Sequence, residues 1–342
     1  MIGITAYGAY IPRARLNKQA IADANAWFDP SLNSLAKGER SICNWDEDSI
    51  TMAVEATRDC LSALSDKTVD SLYLASTTLP FLDRQNSVVV SEALNLDNRI
   101  RTMDISASQR AATSALISLL QGNVSNNALL VASEHRRSKA GSRSEMLWGD
   151  AAATVSVGCS DVIAQYLDSE TLTVDFIDHY RGEDSSFDYS WEERWIRDEG
   201  FFKIVPAAVN MLLQRASLKG SDVRHFILPT DQPRTPAALA KKLGIDTDAV
   251  VDNQIAAVGV AGVAQPILML AKAIEAASAG DLILLIGFGQ GCDAILFRVT
   301  DTAAKCAPAA GVKGALASRR EEHNYNRFLS FKIGRASCRE RV

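Results

Sequence analysis

The sequence predicts an α/β protein made of two similar halves, with helices covering buried sheets. Three observations predict it. Short, continuously apolar strands alternate with helical patterns, two separate pairs of segments repeat at one shared offset, and both copies close on a further strand introduced by an aspartate. Strands apolar on both faces belong in a sheet covered on both sides, and a shared offset is the mark of a duplication.

The first unit, EDSITMAVEATRDCLSALSDKTVDSLYLAST at residues 47–77, places Met52, Val54, Ala56, Cys60, Leu61 and Leu64 at helical spacing before the apolar run Leu72-Tyr73-Leu74-Ala75. KIVPAAVNMLLQRASLKGSDVRHFILPT at residues 203–230 repeats it, with Val223 lying 154 residues after Val69. In the second pair, TSALISLLQGNVSNNALLVASE faces PILMLAKAIEAASAGDLILLIGFG, and Asp281 again follows Asn127 by 154 residues. The closing strands start at Asp150 and Asp293, only 143 residues apart, so the first copy carries an extra loop over residues 135–147.

The stretch TMDISASQRAATSALISLL, residues 102–120, reads as a strand, a tight Ser/Ala turn and an Ala-rich helix. Such an elbow aims free backbone N–H groups and the positive end of a helix dipole at whatever sits on the turn, which suits a nucleophile. Here the turn carries Gln109, flanked by Ser106 and Ser108. An amide is a poor nucleophile.

Between the halves, residues 175–202 form an acidic and aromatic segment with Tyr180, Tyr189, Trp191 and Trp195. It either walls a substrate site or packs its aromatics on the body as a surface excursion. After Thr300 the composition turns to Ala, Lys, Arg and Gly, which reads as a linker, and HNYNRFLSFK reads as the start of an extension. Residues 333–342, IGRASCRERV, read as a translated sequencing adapter and are set aside, so the natural chain is expected to continue past Lys332. The expected divisions are 1–165 and 166–300 for the halves, 301–332 for linker and extension, and 333–342 for the artefact.

Composition excludes several classes. A net charge of −5 with no basic stripe interleaved with aromatics argues against nucleic acid. The N-terminus lacks a secretory pattern, and the longest apolar run is broken by Gln265 and Pro266, so a cytoplasmic protein without a membrane span is expected. Six cysteines, with no CxxC spacing, suggest neither a zinc site nor a disulfide framework.

GITAYGAYIPRARL at the start, DEDSITMAVEA, the elbow DISASQRAATSAL, WGDAAA and GFGQGCDA occur in an order and spacing that resembles the thiolase superfamily. The resemblance covers nearly all of residues 1–300 and is nearest to 3-hydroxy-3-methylglutaryl-CoA (HMG-CoA) synthase and 3-oxoacyl-acyl-carrier-protein synthase III. It implies a thiolase-like fold, two duplicated βαβ-type halves forming a layered αβαβα body, and four catalytic side chains: an acyl-accepting Cys, a His and an Asn that stabilise oxygen, and a Glu base. In this sequence the Cys position falls on Gln109, the Glu position on Thr77, the His position on Pro229 and the Asn position on or near Val260. All four are replaced, and loss of the nucleophile alone removes orders of magnitude in rate. Gln at the Cys position also resembles the decarboxylating ketosynthases of polyketide loading modules, but those keep His partners that have no counterpart here.

Retained scaffold leaves an oxyanion-type pocket from the backbone of Gly287, Phe288 and Gly289, with Asp231, Thr230 and Tyr180 as polar contributors. His135, His179 and His225 are expected to be structural or solvated, and Asp150 and Asp293 to satisfy turns. The resemblance therefore implies a protein handling acyl-CoA thioesters by a non-cysteine mechanism, with no cofactor beyond the coenzyme A substrate. The alternative is an inactive thiolase-fold subunit. Implied partners are acyl-CoA or acyl-carrier protein, a second copy or a thiolase-fold paralogue as dimer mate, and an OB-fold zinc-ribbon domain.

Overall fold

The computed structural model describes residues 1–124 and 126–339, without the side chains beyond Lys332. A nine-stranded sheet runs in the order Val223–Ile227, Leu282–Phe288, Gly291–Val299, Ala164–Thr173, Gly3–Tyr10, Ala151–Gly158, Asn127–Glu134, Val69–Ala75, Arg101–Ile105. The duplication is written into this order. In both halves the strand of the first repeated unit lies parallel beside the strand of the second, and the closing strand pairs antiparallel to that second strand. Even the outermost strand has a trace in the second half, a parallel bridge from Val250 to Phe226 where the first half has Arg101–Ile105 beside Val69–Ala75.

The two halves meet at a narrow seam, Gly3 opposite Gln165 and Ile4 opposite Ala164, where a methyl on Gly3 would lie 2.2 Å from the Ala164 carbonyl oxygen. Beyond the seam the half-sheets face each other across two central helices, Ala111–Leu120 and Gln265–Ala276, whose Leu116, Ile267 and Leu270 share one core with Leu130, Val155, Leu285 and Ile295. Outside them, Ser49–Ser62 and Asn86–Ala93 cover one half-sheet, and Phe202–Arg215 and Thr235–Lys242 the other. This is the αβαβα layering that the resemblance implies, and it covers the apolar strands on both faces.

Gln265 and Pro266, which break the long apolar run, start the second central helix. The Gln265 side chain accepts from Ala261 N–H at 2.8 Å and donates to Asn253 O at 2.6 Å, and Pro266 sits in the first turn, where its missing N–H is harmless. No helix among the described residues is long and apolar enough to cross a membrane.

Residues 301–332, where composition reads as a linker, are ordered against the body. Helix Gly311–Ala317 is capped by distant carboxylates: Asp59 accepts from Ala310 and Gly311, and Glu275 from Val312 and Lys313. Arg320–Glu322 pairs in parallel with Ala14–Asn17, and Tyr325 and Phe328 bury against Leu16, Ile21 and Met146. Of the segment 333–342, residues 340–342 and all the side chains lie outside the description.

Candidate functional site

The elbow forms as its sequence implies. Strand Arg101–Ile105 stops, Ala107 takes a left-handed conformation (φ 71°), and the helix begins at Ala111. A non-glycine residue in that region is held there by its surroundings. The holding is visible in Asp293, fully buried, whose carboxylate accepts from Thr113 (2.8 Å), Ser114 (2.7 Å) and Thr171 (2.9 Å) and pairs with Arg110 at 3.1 Å. The aspartate does more than close its own turn, because it fastens the elbow helix to the second half.

A cavity of about 440 Å³ opens beside the elbow. Gln109, Pro229 and Val260, from three distant stretches of sequence, all line it, together with Thr230, Asp231, Gly287 and Phe288. Thr77 stands one layer back, its hydroxyl 3.5 Å from Gln109 Nε2, at the outer limit of hydrogen bonding. Tyr180 is turned away from the cavity, exposed and packed on Tyr189 with 5.3 Å between rings.

Two expectations of the sequence reading need correction. Gly289 cannot offer an oxyanion donor, because its N–H is already given to Gly291 O at 3.1 Å in the tight turn it makes. His179, expected to be structural or solvated, lines the cavity, with Nδ1 3.0 Å from the Asp178 carboxylate. His225, bonded to Asp281 at 3.2 Å, and His135, 3.0 Å from Asp150, do lie outside the lining.

Sequence reasoning missed Glu134. It ends an entirely buried strand and is itself fully buried, accepting from Thr78 Oγ1 (2.6 Å), Thr77 Oγ1 (3.0 Å) and Val263 N–H (3.2 Å). A methyl on Gly262 (φ 50°) would sit 2.7 Å from Glu134 Cγ and 2.9 Å from Gln109 Oε1, so the glycine is what lets the second half close on this carboxylate. The signal available in the sequence was a lone acid ending a buried strand, since such a group must be bonded by something.

Asp231 is the other carboxylate of note. Burial raises its pKa above the ordinary carboxylate range, against the opposing pull of Arg143. The acidic, aromatic segment closes over the site: His179–Tyr180 pairs with Tyr189–Ser190, Trp191, Ile196 and Phe201 line the cavity, and Trp195 stacks on Phe176. Asp188 pins it down. Burial opposes ionisation there, but Arg136 and Arg181 hold the carboxyl below its usual range, and Arg181 also donates to the Thr77 carbonyl. Arg136 lies over the Trp148 ring at 3.8 Å, completing that wall. Chemically, the cavity offers amide, carboxyl, imidazole and guanidinium groups against aromatic walls, with no thiol among its lining residues.

Residues 213–299 match the family model for the C terminal of 3-oxoacyl-[acyl-carrier-protein] synthase III. A hydroxymethylglutaryl-CoA synthase of Caldivirga maquilingensis is 26% identical over 310 residues, 88% of each chain. Among solved structures, a curacin-pathway HMG synthase in complex with apo donor-ACP superposes with a TM-score of 0.83 at 17% identity, covering 98% of this chain and 89% of that one. The 3-oxoacyl-(acyl carrier protein) synthase III of Pseudomonas aeruginosa PAO1 gives 0.78 at 22% identity, covering 88% and 98%. With its duplicated halves, central helix pair and elbow, the chain has the thiolase-like fold of these synthases. In sequence it is similar to the branch of HMG-CoA synthase and 3-oxoacyl-acyl-carrier-protein synthase III.

Proposed function

We propose that the cavity takes an acyl thioester, carried on coenzyme A or on an acyl-carrier protein, and makes or breaks a carbon–carbon bond without an acyl-cysteine intermediate. The observation that carries this reading is that Gln109, Pro229 and Val260, three residues expected at catalytic positions of the family, converge on one walled cavity with Thr77 behind Gln109. In this mechanism Gln109 Nε2 donates to the thioester oxygen as it gains enolate charge, and Thr77 and Glu134 keep the amide in place. Asp231 carries the proton. For a 3-hydroxyacyl thioester it takes the hydroxyl proton, the bond between C2 and C3 breaks to give a carbonyl compound and the thioester enolate, and the same proton is returned to C2.

The donor-ACP held by the curacin-pathway neighbour supports a carrier-borne substrate at this mouth. We place the protein in the cytoplasm, acting as a homodimer or with a thiolase-fold paralogue. A second reading has its own support: Pro229 and Val260 bring no polar side-chain atom to the cavity, as in a subunit kept for assembly, with an active paralogue or an OB-fold acyl-CoA-binding protein as its partner.

Incubation with a panel of acyl-CoAs, read by mass spectrometry of both small molecules and protein, separates the two. Turnover without a protein adduct, lost in Gln109→Ala and Asp231→Asn, is the expected result. Failure to consume any acyl-CoA or carrier-borne acyl group overturns the enzymatic reading in favour of the subunit.

A further inference from the structure

Behind the cavity wall, three side chains from three stretches of chain converge. Asp150 introduces the strand Ala151–Gly158, and its side chain is only 2% exposed. Its Oδ2 accepts the Cys43 N–H at 2.7 Å. Its Oδ1 lies 3.0 Å from His135 Nδ1, yet the two are not aligned for a hydrogen bond, and each is left without a hydrogen-bond partner. The Cys43 thiol completes the group: one donor atom from each of the three residues lies within 4.8 Å of the others.

The imidazole faces the buried carboxylate as an ion pair, but without a hydrogen bond, so both facing atoms keep a lone pair that a cation between them can take up. We propose that Cys43, His135 and Asp150 bind one divalent transition-metal ion, with zinc the best match, at a site outside the acyl-thioester cavity.

The donor set fits the metal. Thiolate, imidazole and carboxylate are the ligand types zinc takes, and its bonds of about 2.0–2.3 Å set tetrahedral donors roughly 3–4 Å apart. Small side-chain adjustments bring the three atoms to that spacing. On binding, the Cys43 S–H bond is replaced by a sulfur–metal bond and the proton leaves to solvent. One thiolate and one carboxylate then balance the charge of a divalent ion, so the buried site is neutral with a neutral histidine.

Water takes the fourth position on the side of His135, whose side chain is 23% exposed while Asp150 and Cys43 are closed off. His135 lies between Glu134 and Arg136, and Asp150 two residues after Trp148, so the ion ties together the strand ends that carry the cavity wall. Its role is positioning, since none of its ligands lines the cavity.

The test uses the full chain, stripped with a chelator and titrated with Co²⁺, then with Zn²⁺. One equivalent of Co²⁺ should bind with the intense bands of a tetrahedral site and a thiolate-to-cobalt charge-transfer band, and Zn²⁺ should displace it. Cys43→Ala should abolish the charge-transfer band, and Asp150→Asn should weaken Co²⁺ binding at least tenfold. If Cys43→Ala does not fold, as judged by circular dichroism, Cys43→Ser and His135→Ala serve in its place. No metal bound to the folded wild-type chain overturns the site, as does a charge-transfer band that survives loss of Cys43.

Discussion

The strand Asn127–Glu134 and its duplicate Leu282–Phe288 hold equivalent places in the two halves, and they end in opposite ways. The first ends in a buried carboxylate, Glu134, and runs into a long excursion that holds His135, Arg136 and the short helix Arg143–Leu147. The second ends at Gly287 and Phe288 and reverses at once through Gly289 and Gln290. A methyl on Gly287 would lie 2.0 Å from Thr113 Oγ1, so the glycine lets the elbow helix approach. The fold was used twice, but this end of the first copy supplies charged side chains and a loop wall, while the same end of the second supplies close backbone and an aromatic face.

The comparison breaks most completely at Asp293, the bolt between the copies. Asp293→Ala takes from Arg110 its carboxylate partner and from three hydroxyls a charged acceptor, and should remove about 3–5 kcal/mol of stability. Urea denaturation checks this, and a loss below about 1 kcal/mol would mean the elbow is held by packing alone.

Glu134 tests the side-chain half. Glu134→Ala orphans Thr77, Thr78 and the Val263 N–H and should cost about 1–3 kcal/mol. Glu134→Gln keeps an acceptor oxygen and should retain more of that stability. Equal losses in the two variants would show that charge, rather than hydrogen-bond number, is what the position needs.

Asp231 gives a pH signature. Its folded pKa is raised, so the folded protein holds the proton more tightly than the unfolded chain, and stability falls as pH rises from the unfolded to the folded value. Asp231→Asn should therefore gain in Tm relative to wild type at pH 7, with the gain shrinking once the pH drops below the ordinary carboxylate range. A difference in Tm that is flat with pH would remove Asp231 as a perturbed acid.

The smallest stability effect belongs to the wall. Trp191 is 46% exposed, so Trp191→Ala should shift stability by no more than about 0.5 kcal/mol while weakening acyl-CoA binding measured by calorimetry. Unchanged binding would detach the aromatic segment from the site.

The duplication, the elbow and the three cavity positions were legible because each is a local pattern: a repeat offset, a strand meeting a helix, a strand end. Glu134 was not, because what distinguishes it is the approach of Gly262 and Val263 from the other half, more than 120 residues away. Residues 301–332 looked like a linker for a similar reason. A Gly/Ala-rich helix has little apolar periodicity of its own, and what fixes Gly311–Ala317 are caps from Asp59 and Glu275 that composition does not reveal. Nor could spacing reveal a Cys/His/Asp cluster assembled from positions 43, 135 and 150.

The seam strand Gly3–Tyr10 has its sheet neighbours at Ala151–Gly158 and Ala164–Thr173. A ribosome adding about 5–20 residues per second needs roughly 7–30 s to deliver them after that strand is made. For that interval GITAYGAY is an apolar ribbon with both edges open, the form most prone to pair with another nascent chain. Slower synthesis lengthens the exposure, so the yield of native protein should depend more on chaperone supply during translation than on the stability of the finished fold.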